Sequence, residues 1–321
     1  MSEVLIPKKP LPKAFSWLYS LWKFSRPHTI IGTSLSVLGL YLIALSDIIP
    51  IWDTRVSVSI HLISLGLSWI ACLCGNVYIV GLNQLEDIEI DQINKPHLPL
   101  AAGEYSRNQG ILIISVAGIL ALILAGFQGS FLFATVAISL ILGTAYSLPP
   151  IRLKRFPFWA AFCIFTVRGV IVNLGIFLHF QQIFSAVASP LITASVWALT
   201  LFVLVFTFAI AIFKDIPDID GDRQYNITTL TIRLGSRAVF NLARWVLVFC
   251  YLGMIASSLI LKPDVNPIIL SLTHLTALIL MLWRSTTVNL ESKQEIAQYY
   301  QFIWKLFFLE YLMFPIACLL G

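Results

Sequence analysis

Charged residues are scarce in this sequence. Of its 321 residues, only 12% are Asp, Glu, Lys or Arg, while 58% are hydrophobic. A soluble globular protein has roughly 25% charged residues and about half apolar residues, so the composition excludes a soluble globule. No Pro-, Gly- or Ser-rich linker separates the apolar runs. We therefore expect a polytopic membrane protein with a single membrane domain over residues 1–321, of which residues 1–25 precede the first span.

Cysteine and targeting signals are also sparse. The five cysteines all lie within apolar runs, and the single C-x-C pair has neither a redox nor a zinc-binding spacing. We interpret them as small buried hydrophobic residues. The N-terminal segment has no short apolar core that ends in a cleavage site, so a cleaved signal peptide is not expected. It also lacks the Ser- and Arg-rich length of an organelle transit peptide, which favours a bacterial source.

Long hydrophobic runs, in contrast, are abundant. A helix needs about 20 apolar residues to cross a hydrocarbon core of ~30 Å. The runs are continuous and do not alternate with polar residues as the strands of a membrane barrel do, so they predict helices. Nine spans are predicted, at residues 28–46, 60–82, 110–127, 130–147, 159–181, 191–213, 239–261, 266–284 and 302–320. The fold class is therefore an all-α membrane bundle with two Asp-rich cytoplasmic loops.

Basic residues in the short loops predict the orientation of the bundle. Lys and Arg are concentrated before the first span and after the second, fourth, sixth and eighth, whereas the opposite loops offer little beyond Arg55 and Lys262. The positive-inside rule then places the N-terminus in the cytoplasm, and an odd number of spans places the C-terminus on the opposite side. A net charge of +5 on the cytoplasmic face suits anionic lipid or an anionic substrate. Nucleic acid is not implied.

Two of the cytoplasmic segments resemble each other. One reads DQINKPHLPLAAG from Asp91 to Gly103, and the other reads DRQYNITTLTIRLG from Asp222 to Gly235. Each follows a predicted span, and the two spans lie four apart in the chain. We interpret the pair as the trace of a four-helix repeat, with a site built between the two halves.

Both segments carry closely spaced carboxylates. If the second span continues as a helix past the membrane edge, Asn83, Asp87 and Asp91 lie on one helical face. Like charges four residues apart repel, so this arrangement does not serve helix stability. The other cluster contains Asp215, Asp218 and Asp222. A single Asp at a membrane boundary is usually only solvated, but two dense clusters on one side predict a site for Mg²⁺, which binds carboxylates and is completed by substrate phosphates.

Basic residues near the same face offer partners for a diphosphate, although each could instead be only a marker of topology. They are Arg26, Lys95, Arg152, Lys154, Lys214 and Arg223. The fifth span adds Arg168 among apolar neighbours. A charge at membrane depth usually faces the bundle interior, so Arg168 binds a substrate carboxylate unless it pairs internally or snorkels to the interface. We interpret His179, near the outer end, as interfacial and Glu310 as a structural contact.

Several of these motifs together resemble the UbiA-type intramembrane prenyltransferases, a nine-helix family. The resemblance rests on SRPHT (Ser25–Thr29), YSLPPIRLKRFP (Tyr146–Pro157) and KDIPDIDGD (Lys214–Asp222), besides the Asn83-x3-Asp87-x3-Asp91 pattern. The stretches NQLEDIEIDQINKPHLPLAAGEYS and VRGVIVNLGIFLH are similar, more narrowly, to the homogentisate prenyltransferases. Many members have Asp where this chain has Gln84, so Gln84 is left out of the expected ligand set.

The resemblance implies a role for each matching residue. One Mg²⁺ would be held by Asn83, Asp87 and Asp91 and a second by Asp218 and Asp222, with Asp215 as a helper. The diphosphate would be contacted by Arg26, Lys95 and Lys154, with Arg152 as an alternative to Lys154. Tyr146 would lie near the reacting allylic carbon. The residues expected to be catalytic are therefore Asp87, Asp91, Asp218, Asp222 and Tyr146.

The implied activity is transfer of a phytyl chain from phytyl diphosphate to homogentisate with loss of CO₂, which gives the methylated phytyl quinol of tocopherol synthesis. A solanesyl or geranylgeranyl donor and another aromatic acceptor remain alternatives. The implied location is a cyanobacterial inner or thylakoid membrane. A secondary transporter also has repeats and intramembrane charge, but here the carboxylates cluster at one face. A non-catalytic lipid-binding scaffold remains a further alternative.

Overall fold

The described residues of the computed structural model are 13–48, 58–185, 190–217, 219 and 229–321. Its helices are α1 (Lys13–Phe24), α2 (Pro27–Ser46), α3 (Val58–Glu86), α4 (Ile88–Asn94), α5 (Arg107–Gln128), α6 (Ser130–Ser147), α7 (Pro157–Phe165), α8 (Val172–Ser185), α9 (Ala194–Lys214), α10 (Leu230–Leu234), α11 (Ser236–Ser257), α12 (Pro267–Thr286) and α13 (Lys293–Leu319). A π-helical turn at Thr166–Ile171 joins α7 to α8. Within these ranges every regular element is a helix, and turns and loops join them, which confirms the predicted fold class.

Nine helical segments of the described chain are long and apolar enough to cross a membrane. Eight of them lie within about four residues of the predicted bounds at both ends, because continuous apolar composition is what a bilayer-spanning helix requires. The second extends to Glu86 and the last begins at Lys293 instead of residue 302. Both differences are extra helical turns rich in polar residues, which a search for apolar runs leaves out.

α9 and α13 lie at the centre of the bundle and are the most buried spans. Their aromatic side chains, among them Phe206, Phe213 and Phe307, join the main hydrophobic cluster with residues of α2, α8, α11 and α12. α2 packs closely on α13, since a Cβ at Gly39 would lie only 2.7 Å from the carbonyl oxygen of Tyr311. Smaller clusters join α3 to α5 and α6.

The helix expected to run through Asp91 is interrupted at Asp87. The backbone of Asp87 has φ −116° and ψ 19°, outside the helical region, so α3 ends at Glu86 and α4 begins at Ile88. The first Asp-rich segment is therefore a helix end followed by a short helix, and not a loop. The break turns α4 away from the axis of α3 and leaves Asp87 between the two helices.

Candidate active site

Asp87 is the centre of a charged cluster at the end of α3. Arg152 donates a hydrogen bond to its Oδ1 at 3.0 Å, and Lys154 donates to its Oδ2 at 2.6 Å. The side-chain amide of Asn83, one turn earlier on α3, donates to the same Oδ2 at 3.2 Å. The two ion pairs are largely buried, with 13–18% of each side chain exposed. Sequence reasoning treated Arg152 and Lys154 as alternatives, whereas the structure places both on one carboxylate.

Two arginines of this cluster have strained backbones. Arg26 has φ 53° and Arg152 has φ 36°, a region that residues other than glycine rarely adopt. Such strain persists only where the surroundings enforce it, and it is concentrated at functional sites. Each guanidinium also has a buried Nε with no hydrogen-bond partner among the described residues. Both arginines thus retain a free donor that faces the cluster.

Polar residues of α3 hold the turn that carries Arg26. Gln84 donates to the carbonyl oxygen of Phe24 at 2.7 Å, and Asn76 donates to Thr29 Oγ1 at 2.9 Å. Arg26 in turn donates to Asn83 Oδ1 at 3.3 Å. The position where many family members have Asp therefore carries a buried amide that fixes the backbone between α1 and α2.

Asp91 is the second carboxylate of the cluster and is only 4% exposed. Its Oδ2 has no hydrogen-bond partner among the described residues. Burial raises the pKa of this carboxyl group; Lys95 and Arg26 act to lower it, and Asp87 acts to raise it. For Lys154, burial lowers the pKa of the ammonium group, and the hydrogen bond to Asp87 opposes that shift. The cluster thus contains one paired carboxylate and one that its neighbours leave unsatisfied.

The other predicted site residues are placed as follows. Tyr146 is half-buried near the end of α6, where Lys214, Asp87 and Arg26 act electrostatically on its hydroxyl. Lys95 follows α4 and acts on Asp91. Asp215 follows the last residue of α9 and is half-buried. Asp218 and Asp222 lie outside the described residues, and within the described part of the chain no group of three His, Cys, Asp or Glu side chains could hold a metal ion.

Arg168 lies inside the bundle on the π-helical turn. Its guanidinium stacks over the rings of Trp304, at 4.8 Å, and Phe307, at 5.8 Å, both on α13. No carboxylate of the described residues lies within ion-pair distance of it. A Cβ at Gly169 would lie 2.5 Å from Leu204, so glycine lets this turn approach α9. The expected internal ion pair of Arg168 is therefore absent from the described part of the bundle, and an aromatic contact takes its place.

The structure corrects one prediction about the polar residues of the spans and supports another. His179 was expected to be interfacial, but it is fully buried and lies 2.8 Å from the hydroxyl of Ser68. The prediction failed because hydropathy does not show which helix face packs inward. Glu310 was expected to be a structural contact, and it pairs at 3.0 Å with His274 between α13 and α12, both side chains fully buried.

Sequence reasoning missed two residues that border Arg168. Trp304 stacks with it, and His28, on the first turn of α2, packs edge-on against Trp304 with 5.4 Å between ring centroids. A signal was available in the aromatic run along the last span, where Tyr300, Trp304 and Phe307 recur at helical spacing. This aromatic pattern did not single out Trp304, because aromatic residues at helical spacing usually indicate core packing alone.

Fold and site together define a polytopic membrane protein. One end of its bundle carries the cluster of carboxylates and cations around Asp87 and is here named the charged end. Inside the bundle, the guanidinium of Arg168 stacks on aromatic rings. Residues 53–306 match the sequence profile of the UbiA prenyltransferase family. The chain belongs to this family, which confirms the resemblance and the predicted class of aromatic prenyltransferase enzymes.

Its relatives include three homogentisate prenyltransferases. Homogentisate phytyltransferase of Synechocystis sp. is 52% identical over 94% of this chain and 96% of its own. Homogentisate phytyltransferase 1 of Arabidopsis thaliana is 42% identical, over 93% of this chain and 75% of its own. Homogentisate geranylgeranyltransferase of Triticum aestivum is 38% identical, over 93% of this chain and 72% of its own. Each is similar over nearly all of this chain.

Solved structures share the fold. The structure of a UbiA homolog from Archaeoglobus fulgidus bound to GPP and Mg²⁺ superimposes with a TM-score of 0.61 and covers 94% of this chain and 100% of its own. Its sequence is only 17% identical, so this likeness supports the architecture alone.

Proposed function

We propose that this protein transfers the phytyl group of phytyl diphosphate to homogentisate in a Mg²⁺-dependent reaction that releases CO₂ and gives 2-methyl-6-phytyl-benzoquinol for tocopherol synthesis. The observation that carries the proposal is the cluster at the end of α3, where Asp87 binds two cations beside the buried, unsatisfied Asp91. The names and high coverage of the homogentisate prenyltransferase relatives support the choice of substrates. The Synechocystis and Arabidopsis phytyltransferases are 52% and 42% identical to this chain and the Triticum geranylgeranyltransferase is 38% identical, which favours phytyl as the donor chain.

The residues present suit Mg²⁺. Asn83, Asp87 and Asp91 supply amide and carboxylate oxygens, which are the ligands that this ion prefers. The unpartnered Oδ2 of Asp91 is the atom that most needs a cation, because a buried carboxylate without a partner is costly. Asp218 and Asp222, outside the described residues, are proposed for a second ion, with Asp215 as a helper. When bound, Mg²⁺ would neutralise the negative charge that develops on the departing diphosphate.

The cations of the cluster would receive the diphosphate. Arg152 and Lys154 rest on Asp87 in this structure, and phosphate oxygens offer them equivalent acceptors. Arg26 and Arg152 each keep a free buried Nε, and a guanidinium that presents two N–H groups binds a phosphate in a fixed orientation. Lys95 adds a further positive charge beside Asp91. These residues orient the donor and favour its ionisation.

The allylic carbon would react below this cluster. The electrostatic effect of Asp87 on the hydroxyl of Tyr146 supports a place for this ring near the end of the prenyl chain that would lose diphosphate. An aromatic face stabilises a cation through its negative π surface. The surrounding helices exclude water, which would otherwise capture an allylic cation.

The acceptor would bind further inside the bundle. Arg168 has no carboxylate partner among the described residues, so it is available for the carboxylate of homogentisate. Trp304 and Phe307 hold the guanidinium in place and give the aromatic ring of the acceptor an apolar wall. A buried cation of this kind is a functional hypothesis by default in a membrane protein.

We also propose that the chain is one domain with its N-terminus in the cytoplasm, its C-terminus on the opposite side, and a cyanobacterial inner or thylakoid membrane as its location. The basic residues of the charged end support the orientation. The similarity to the Synechocystis enzyme supports the source.

The test is an assay of the purified protein with homogentisate and phytyl, geranylgeranyl or solanesyl diphosphate, with and without Mg²⁺. We expect prenylated quinol only with Mg²⁺ and fastest with phytyl diphosphate. Asp87→Asn should lower the rate by at least about 100-fold, the scale of removing one preorganised electrostatic group. The control is Glu89→Gln, an exposed carboxylate two residues away on α4, which should retain activity.

Three outcomes would count against the proposal. Absence of product with every prenyl diphosphate would reject the enzymatic activity. Full activity in the presence of a strong chelator would reject the Mg²⁺ requirement, and wild-type rates in Asp87→Asn would reject the assignment of the site.

A further inference from the structure

His28 lies between the two parts of the proposed site. It follows Arg26 by two residues, at the start of α2, and its side chain is exposed. Its imidazole packs edge-on against Trp304, the same indole over which Arg168 stacks. Neither of its ring nitrogens forms a hydrogen bond with a described residue. The imidazole is thus held in position by a ring contact while both nitrogens are available to a substrate.

The charged groups that face His28 are all cations. They come from three parts of the chain: Arg26 before α2, Lys95 after α4, and Arg168 on the π-helical turn. Tyr300 packs against the same indole of Trp304 on α13. Positive charges around an imidazole favour the release of a proton that the ring has taken up, which suits a group that passes a proton on.

The proposed reaction needs one proton to be moved. The C–O bond of the donor breaks and its electron pair leaves with diphosphate, while a π pair of the aromatic ring forms the new C–C bond. The ring carbon must then lose its proton to restore aromaticity. Loss of CO₂ breaks the bond between the carboxyl and benzylic carbons, and the electron pair that remains takes up one proton to form the methyl group. The two proton steps cancel, and no oxidant or reductant is required.

We propose that His28 carries this proton, accepting it from the ring carbon and delivering it to the benzylic carbon. The inference rests on the proposed function and assigns it a catalytic residue. Its position supports the role, because the carboxylate that departs as CO₂ would lie on Arg168, and His28 shares the Trp304 ring with Arg168. The aspartates of the charged end are less suited to it, since Asp87 is already bound by Arg152 and Lys154.

The test compares His28→Gln and His28→Ala with the wild type. Glutamine retains hydrogen-bonding groups but cannot carry a proton, so kcat should fall by about 100-fold or more, the lower range of general acid–base catalysis. The KM for homogentisate should change by less than about threefold, because binding to Arg168 is retained. Added imidazole should restore part of kcat to His28→Ala and nothing to the wild type. His97→Gln, the same change at an exposed position after α4, is the control and should behave as the wild type.

Each outcome has a defined meaning. A normal kcat in His28→Gln, or an effect on KM alone, overturns the proposal. A fall in kcat for both variants with no response to imidazole also overturns it and leaves only a structural contact; thermal unfolding in detergent shows whether either variant is misfolded. If the wild type does not prenylate homogentisate, the proposed function is rejected. If the wild type is active but the His28 variants have the same kcat, only the role of His28 is rejected.

Discussion

Asp91 is the residue whose environment is least favourable without a ligand. Its carboxylate is almost completely buried, one oxygen has no partner, and burial raises its pKa despite three nearby cations. The free energy needed to remove a carboxylate from water is larger than the stabilisation that imperfectly placed cations provide. A residue kept in such a state reduces the stability of the metal-free protein, and we interpret that reduction as the consequence of a site built for a cation.

This interpretation predicts opposite effects of Asp91→Asn on stability and function. In metal-free protein at pH 7 the variant should unfold about 1–2 °C higher, which corresponds to a gain of ~1 kcal/mol for a protein of this size. Because the native pKa of Asp91 is raised, the wild type loses stability as the pH rises through it and the variant does not. The difference in melting temperature should therefore be larger at pH 8 than below the unfolded-state pKa of about 4.

Mg²⁺ should raise the melting temperature of the wild type above that of Asp91→Asn. The ion stabilises a protein that binds it only in the native state, so it should raise the melting temperature of the wild type and not that of Asp91→Asn, measured by thermal unfolding in detergent. Glu89→Gln, which removes an exposed carboxylate of the same helix, is the control and should respond to Mg²⁺ as the wild type does. An equal response to Mg²⁺ in wild type and Asp91→Asn would contradict the assignment.

The sequence identified the residue types of the charged end but not their pairing. Arg26, Asn83, Asp87 and Lys154 were all expected there, from the carboxylate spacing and from what the family resemblance implies. The joint contact of Arg152 and Lys154 with Asp87 could not be predicted, since it depends on a left-handed backbone at Arg152. A non-glycine residue in that conformation is held by tertiary packing, which leaves no local signal.

At the scale of elements, α1 is attached to the charged end by a small polar network. Ser20 donates to Glu104 at 2.6 Å, and Lys23 forms an ion pair with the same carboxylate. The hydroxyl of Tyr105 donates to the carbonyl oxygen of Trp17 at 2.9 Å. α1 leads directly into the turn that carries Arg26, so this network helps to position a proposed diphosphate ligand.

Glu104→Gln tests this attachment. Burial raises the pKa of Glu104, but the hydrogen bonds from Lys23 and Ser20 outweigh it and leave the pKa below its usual value. A lowered carboxyl pKa stabilises the fold above the unfolded-state value, and this stabilisation is lost as the pH falls through the native value. The variant should therefore lose about 0.5–1 kcal/mol of unfolding free energy at pH 7, the range of a partly exposed ion pair, and the deficit should shrink below about pH 4.

The control for this experiment is Glu291→Gln, an exposed carboxylate between α12 and α13 whose neighbour contacts involve its backbone. It should leave the unfolding midpoint unchanged at both pH values. A deficit in Glu104→Gln that stays constant from pH 7 to well below about pH 4 would mean that packing, and not charge, attaches α1.

Long apolar elements were predicted well, while short and irregular elements were not. The helices that the sequence missed are α1 and α10, which are too short to register as spans, and α4 was expected only as an unbroken continuation of α3. The π-helical turn around Arg168 was missed for another reason: it has the same composition as the helix that it interrupts, and it is set by the close approach of Gly169 to α9.

At the scale of the whole molecule, the arrangement of charge predicts the topology. The Arg26, Lys95, Arg152 and Lys154 side chains meet at one end of the bundle, where α3, α6 and α12 also end. Basic residues in short loops remain in the cytoplasm during insertion. Fusions of a fluorescent protein before Met1, or after Thr286 at the end of α12, should therefore fluoresce. Alkaline phosphatase fused after Ser257, at the end of α11, or after Gly321 should be active.

The two internal fusion points control for each other, because they differ by one span and must report opposite sides. Replacing Lys8, Lys9 and Lys13 by Gln should leave this pattern intact, since Arg152 and Lys154 would still be retained in the cytoplasm by their own loop. Fluorescence after Gly321 together with phosphatase activity before Met1 would invert the bundle. The diphosphate site would then face away from the cytoplasm, and the proposed orientation would be wrong even if the chemistry were correct.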